Sequence, residues 1–174
     1  FESQSGVSKH TLFHILNHTQ TAMGARLFRQ WLRQPLLDVE EINKRFECIE
    51  EFRSNFMLCE EFRASLSGIQ DLPRIIGRIT FPVAGVNDLV ALRESLEPVQ
   101  KLPDYLAELQ SPLLKKIAEN FDPLDDLLDL LHQSLKEVPS IRLREGGFMA
   151  EGVSEELDEL RGISRNSKQF LNEM

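Results

Sequence analysis

The segment TLFHILNHTQTAMGARLFRQWLRQPLLDVEEINKRFECIEEF, from Thr11 to Phe52, predicts two successive amphipathic helices. Thr21 is expected to cap the first helix, whose body reads MGARLFRQWLRQ, and Pro35 is expected to end it. Asp38 is placed to start the second helix, with Glu41 three residues later, as in a capping box. Apolar residues at steps of three and four predict the buried stripes, which are Leu27, Phe28, Trp31 and Leu32 in the first helix and Val39, Ile42, Phe46, Ile49 and Phe52 in the second.

These stripes also predict how the two helices meet. The residues expected to join them are Leu27, Trp31, Leu32, Ile42 and Phe46. If they are buried, removing the Trp or the Phe should cost about 3–5 kcal/mol of stability. Gly24 is expected to allow either a close helix approach or the tight turn after Thr21.

The rest of the chain is predicted to be helical as well, with one exception. The stretch IRLREGGFMAEG contains Gly146-Gly147 and predicts a small β-hairpin near residues 141–150. Ser154 is expected to cap a final helix that continues to at least Glu173. That helix carries an apolar series, Leu157, Leu160, Ile163, Phe170 and Leu171. The predicted fold class is therefore all-α, with one long C-terminal helix.

Composition limits the function classes. The chain has 174 residues and a net charge of -8, which argues against a domain that grips DNA phosphates by itself. No apolar run is long enough to span a bilayer, so no membrane partner is expected. The cysteines, Cys48 and Cys59, are expected to be buried reduced thiols. Because the chain starts at Phe1 and stops within a helical pattern, we expect it to be a piece of a longer polypeptide.

Three histidines, His10, His14 and His18, follow one another at steps of four. Such spacing can align metal ligands on one helical face. The residues around His18 are poor helix formers and favour an end to the helix before it. We therefore expect His10 and His14 to be surface residues and His18 to hydrogen-bond the turn, and we predict no metal site. A histidine-ligated metal protein is the competing interpretation, which metal titration with His14→Ala as a control would test.

Three arginines, Arg26, Arg29 and Arg33, share one helical face and are the candidate contacts to a DNA backbone. The alternative is a solvated face that pairs with acidic residues of the next helix, such as Glu40 and Glu47. The acidic net charge favours this alternative.

Catalytic motifs are missing from the sequence. The chain contains no Gly-Lys dipeptide, as a P-loop requires, no G-x-G-x-x-G and no G-x-S-x-G elbow. We therefore predict no catalytic, cofactor-binding or metal residues. A helical protein-interaction scaffold unrelated to DNA repair remains an alternative on this basis.

Specific residues resemble the start of the core, or lever, domain of the MutS family of DNA mismatch repair proteins. The matching residues are Thr11-Leu12, His18-Thr19, Thr21, Met23-Gly24, Arg26-Leu27, Trp31-Leu32, Pro35-Leu36, Ile42-Asn43 and Arg45. Asn17 departs from the family, which commonly has Asp there; the polar capping role is kept and a charge is lost. Two later blocks, DLPRIIGRI with NDLVALRESL and GGFMAEGVSEELDELR, resemble the family in the same order.

The resemblance implies a mechanical role. MutS proteins act as dimers that clamp mismatched DNA and hydrolyse ATP, so the longer parent is expected to be a DNA-dependent ATPase that uses ATP and Mg. Its mismatch-reading, clamp and ATPase parts would lie outside this chain, which is expected to be no enzyme itself. Residues 1–153 would be the helical core and residues 154–174 the start of the long lever helix leading to the clamp, whose returning arm is absent. His18, Thr19 and Pro35 would serve with the other motif residues as structural positions.

Partners and compartment are also implied by the resemblance. They are mismatched double-stranded DNA held by other domains, a second MutS subunit and a MutL-type protein. The expected location is the bacterial cytoplasm, or the nucleus for a eukaryotic parent.

Overall fold

The fold is all-α in the computed structural model, which describes residues 11–81, 83–140 and 146–172. Those residues form ten helices: α1 (Leu12–Leu16), α2 (Ala22–Arg33), α3 (Val39–Ser54), α4 (Phe56–Ser67), α5 (Leu72–Thr80), α6 (Val86–Val99), α7 (Leu102–Ala107), α8 (Pro112–Glu119), α9 (Asp125–Ser134) and α10 (Glu155–Asn172). None of the described helices is long and apolar enough to cross a membrane.

The predicted helix starts are confirmed at the first two long helices. Thr21 Oγ1 accepts a hydrogen bond from Gly24 N at 2.9 Å, and Asp38 Oδ1 accepts one from Glu40 N at 2.9 Å. Ser154 acts in the same way at α10, where its Oγ accepts from Leu157 N at 3.3 Å. Each cap satisfies a donor that the helix cannot pair internally, which is why local sequence sets these boundaries.

The core is centred on α6. Leu92 and Leu96 of α6 pack in one cluster with residues of α5 and α9, and Leu96 is only 1% exposed. A second cluster joins α3, α4, α7 and α8 through Cys48, Leu58, Leu106, Leu109 and Leu114. A third cluster contains Ile69, Val99 and Leu102, with Met23 of α2 packed against it. The buried core therefore lies mainly between α3 and α9.

The predicted burial of α2 and α3 is wrong in its details. Leu27 and Trp31 of α2 are 48% and 42% exposed, and Phe46 of α3 is 61% exposed. Of the predicted stripe of α3, Phe52 packs toward α4 and α8 as expected, together with Cys48. The amphipathic spacing correctly predicted helices, but spacing does not tell which part of an apolar stripe finds a partner within the chain.

The cysteines follow the prediction in part. Both are free thiols; Cys48 is buried, with its Sγ 3.2 Å from Ser111 Oγ, whereas Cys59 is half-buried.

The predicted hairpin near 141–150 falls partly on residues 141–145, which lie outside the described residues. In the described part of that region, the β contact is an isolated antiparallel bridge between Leu135 and Met149. Gly146 and Gly147 have φ of 65° and 79°, a conformation that glycine adopts without the steric cost of a Cβ. The described residues therefore contain a bridge and no hairpin.

Candidate functional site

The turn between α1 and α2 carries the histidines that suggested a metal site. Helix α1 ends at Leu16 with Asn17 as its C-cap, so His18 lies beyond the helix and the spacing from His14 is not continued on one face. Both His14 and His18 are exposed, and His10 lies outside the described residues. Among the described residues, no group of three or more His, Cys, Asp or Glu side chains is placed to hold a metal ion.

Asn17 organises this turn. Its Oδ1 accepts a hydrogen bond from Thr19 Oγ1 at 2.8 Å, and the carbonyl of His18 accepts one from Gln20 Nε2 at 3.2 Å. The amide oxygen of Asn17 thus supplies a hydrogen-bond acceptor without a negative charge.

Gly24 sits against this turn at the start of α2. A Cβ built on Gly24 would lie 3.1 Å from Thr21 Oγ1 and 3.3 Å from Thr19 Cβ. The turn and α2 therefore approach each other closely at Gly24, which supports the second of the two roles expected for this glycine.

The other motif residues lie along α2 and just after it. Met23 packs against the core, Leu32 is half-buried, and Pro35 follows the helix as an exposed residue. Trp31 is partly covered by Arg45 of α3, whose guanidinium carbon lies 3.7 Å from the ring centroid. This cation–π contact connects α2 to α3.

The three arginines of α2 have different surroundings. Arg26 donates two hydrogen bonds to the carboxylate of Asp71, at 2.6 and 2.7 Å. The partner in this contact is therefore Asp71 and not Glu40 or Glu47 of the next helix. Arg29 stacks over the Phe13 ring at 4.4 Å from the centroid. Arg26, Arg29 and Arg33 line a shallow depression of about 280 Å³. A contact of these arginines with a DNA backbone stays a prediction, and the ion pair assigns Arg26 a structural role as well.

Both members of the Arg26–Asp71 pair are electrostatically stabilised. The hydrogen bonds from Arg26 lower the pKa of the Asp71 carboxyl below its ordinary value of 3.8, with burial opposing them. The same contact raises the pKa of Arg26.

A second polar region lies beside α6 and α9. An open cleft of about 520 Å³ is lined by Arg93, Glu94, Glu97, His132, Leu135 and Glu137. His132 Nε2 lies 3.6 Å from Glu97 Oε1, and both side chains are about half exposed. Arg93 is 7% exposed and donates to backbone carbonyls. The lining thus combines a surface contact between His132 and Glu97, a buried structural arginine and the further carboxylates of Glu94 and Glu137.

Sequence reasoning missed the buried polar residues of α6. Arg93 lies four residues after Leu89 and three before Leu96, on the apolar face of its helix, and that spacing was the available signal. Ser95 is fully buried and accepts a hydrogen bond from Gln70 N at 3.0 Å. Its partner on another segment could not be read from local spacing.

Helix α10 presents apolar side chains to solvent. Leu160 and Ile163 are 58% and 63% exposed, although they continue the apolar series that begins at Leu157. The described part of this series therefore keeps much of its apolar surface outside the core.

Comparison with known proteins identifies close relatives of the whole chain. A family model described as MutS domain III matches residues 1–174. The chain is 39% identical over 163 residues to the DNA mismatch repair protein MutS of Caldicellulosiruptor saccharolyticus, covering 94% of the chain and 19% of that protein. It is 42% identical over 165 residues to that of Methanosarcina mazei, covering 92% and 18%. For Lactobacillus acidophilus the identity is 37% over 172 residues, covering 99% and 20%. The chain thus spans about a fifth of the length of these relatives.

Proposed function

Because the chain belongs to the MutS domain III family, we propose that it is the lever segment of a MutS-type mismatch repair protein. In this proposal it couples an ATPase domain to the grip on mismatched DNA and performs no chemistry of its own. The observation that carries the proposal is the family match over the full chain, since the relatives that share it are named as DNA mismatch repair proteins. The same match argues against a scaffold unrelated to DNA repair.

The proposed mechanism is rigid-body transmission. Residues 1–153 would form the helical body and residues 154–174 the start of the lever helix. Helix α10 has 18 residues, which corresponds to about 27 Å at 1.5 Å per residue. A helix of this length that is held by a packed body can transmit rotation of one domain to another. The exposed Leu160 supports an arm that packs against a segment outside this chain.

The chemistry and the remaining partners belong to the parent in this proposal. ATP and Mg would bind in its ATPase domain, and mismatched double-stranded DNA would be held mainly by other domains. A net charge of -8 fits a segment that does not itself collect phosphates. A second MutS subunit and a MutL-type protein complete the proposed partners.

A break in α10 tests the proposal. Ser164 is an exposed residue inside the helix, and Ser164→Pro removes a backbone donor and disrupts the helix at a cost of about 3 kcal/mol. In the full-length protein, this variant should retain ATP hydrolysis without DNA but lose the change in hydrolysis rate that a heteroduplex causes. Ser164→Ala is the matched control and should behave like the unmodified protein. Normal coupling in Ser164→Pro would show that α10 is not a lever.

A further inference from the structure

The connection between the helical body and α10 contains a short β bridge. Lys136 N donates to Phe148 O at 3.0 Å, and Ala150 N donates to Ser134 O at 2.9 Å, on either side of the Leu135–Met149 pair. Ser134 ends α9, which belongs to the body, whereas residues 148–150 lead into α10. An isolated two-stranded contact is marginal in water by itself. It therefore needs other contacts to hold a fixed geometry.

Arg93 supports the body side of the bridge. It lies on the core helix α6 and is 7% exposed. Its Nη1 donates to Lys136 O at 3.0 Å and its Nη2 to Glu137 O at 3.1 Å. The planar guanidinium thus fixes two successive carbonyls, and hydrogen bonds from a charged donor are stronger than neutral ones.

Arg161 supports the opposite side. It lies on α10, and its Nη2 and Nη1 donate to Met149 O and Ala150 O at 3.0 and 3.3 Å. Asp158, one turn earlier, accepts from Arg161 Nη1 at 3.0 Å and from Gly152 N at 2.6 Å. The first turns of α10 are therefore tied back to the segment that precedes them.

These contacts form a continuous series. The N–H of Lys136 donates across the bridge, and its carbonyl accepts from Arg93. In the same way, the N–H of Ala150 donates across the bridge, and its carbonyl accepts from Arg161. We propose that Arg93 and Arg161 are a two-sided clamp on the Leu135–Met149 bridge that sets the orientation of α10 relative to the body. Its consequence for DNA repair rests on the proposed lever function, whereas its structural part does not.

Removal of either arginine should loosen the bridge. In the full-length protein, Arg161→Ala and Arg93→Ala should each speed amide hydrogen exchange of peptides covering 134–137 and 148–151 by about tenfold, the loss expected for one charged hydrogen-bond donor. Arg53→Ala removes an arginine of α3 whose side chain is 79% exposed and serves as the control, with no change expected at the bridge. Because the two arginines act in series on one bridge, the double variant should be less than additive.

The orientation of α10 provides a readout that simple destabilisation would not change. Genetically encoded spin labels at the exposed positions Lys116 of α8 and Ser164 of α10 report the distance between the body and α10 without using the native cysteines. Arg161→Ala should broaden this distance distribution while the melting transition of the body is kept. Arg161→Lys retains the charge but not the two-donor fork, so it should give a distance distribution of intermediate breadth. This variant also tests the proposal if the alanine variant fails to fold.

The outcomes separate the clamp from the lever. Unchanged exchange and an unchanged distance distribution in Arg161→Ala would overturn the clamp. A broadened distribution supports the clamp even if Ser164→Pro keeps the normal effect of a heteroduplex on ATP hydrolysis, a result that would count against the lever alone.

Discussion

Arg26 and Asp71, separated by 45 positions in the sequence, form a two-bond ion pair that joins α2 to the start of α5. The Asp71 side chain is 17% exposed and also lies 3.3 Å from Arg74. Through this pair, a helix with little buried apolar surface is attached to the core of the body. A residue considered for DNA contact thus has a structural partner within the chain.

The ion pair predicts a specific dependence of stability on pH. Hydrogen bonds from Arg26 place the folded-state pKa of Asp71 below the ordinary value of 3.8. The pair therefore stabilises the folded chain fully above that unfolded-state pKa, and this contribution is lost as the pH falls through the lower folded-state pKa. Asp71→Asn should lower the melting temperature at pH near 7, and the difference from the unmodified chain should shrink below about pH 4.

Asp129→Asn is the control for this measurement, because Asp129 is an exposed residue of α9. Thermal unfolding of the three proteins across the acid range gives the comparison. If Asp71→Asn lowers the melting temperature by the same amount at neutral and acid pH, the carboxylate charge is not responsible for the loss of stability.

Substitution of Gly24 should separate steric contact from helix propensity. Alanine normally stabilises a helix relative to glycine by about 0.5–1 kcal/mol. At Gly24 the new Cβ would press on Thr21 Oγ1 and disturb the cap, so Gly24→Ala should instead destabilise by about 1 kcal/mol. Gly77→Ala in α5 meets nothing within 4 Å and should stabilise. Urea unfolding measures both changes, and equal stabilisation of the two variants would contradict the close contact.

Because the apolar stripe of α2 is largely exposed, truncating one of its side chains should lower the stability only slightly. A buried stripe would have predicted a large loss. Trp31 is 42% exposed and holds a cation–π contact with Arg45, so Trp31→Ala should cost about 1 kcal/mol in this chain. Leu96→Ala, at a position 1% exposed, should cost about 2–5 kcal/mol. A loss at Trp31 as large as that at Leu96, measured by denaturant unfolding, would mean that the stripe is buried after all.

The hydroxyl of Ser95 should contribute substantially to the stability of the fold, although the group is small. Its Oγ accepts from Gln70 N at 3.0 Å and donates to Ala91 O at 2.6 Å in a fully buried position. Ser95→Ala would leave the Gln70 N–H without this acceptor and should cost about 1–3 kcal/mol. Ser67→Ala removes an exposed hydroxyl that bonds Ala64 O and should be nearly neutral. Similar losses in the two variants would argue against the buried contact.

Local chemistry made part of the fold predictable. Thr21 and Asp38 cap helices because their side-chain oxygens reach donors two or three residues away, a relationship contained in the sequence itself. The all-α class and the matching family blocks followed from similarly local patterns.

Long-range partners were the part that sequence could not supply. The periodicity of α3 offered several apolar residues, but the choice of Cys48 and Phe52 over Phe46 depends on where α4 and α8 lie. The Arg26–Asp71 pair and the arginines on the bridge depend in the same way on segments distant in sequence. The Gly146-Gly147 pair suggested a β-hairpin, whereas in the described residues Met149 pairs with Leu135, a partner that local sequence could not show.

The most direct test of the central claim is a pair of distances measured in the full-length protein bound to a spin-labelled heteroduplex. One distance joins labels at the exposed residues Lys116 of α8 and Asp129 of α9, and the other joins Lys116 to the DNA. If the helical body transmits motion as a rigid piece, addition of ATP will leave the first distance unchanged and shift the second. A change of the distance within the body, or a fixed distance to the DNA while the ATP state changes, would contradict the account.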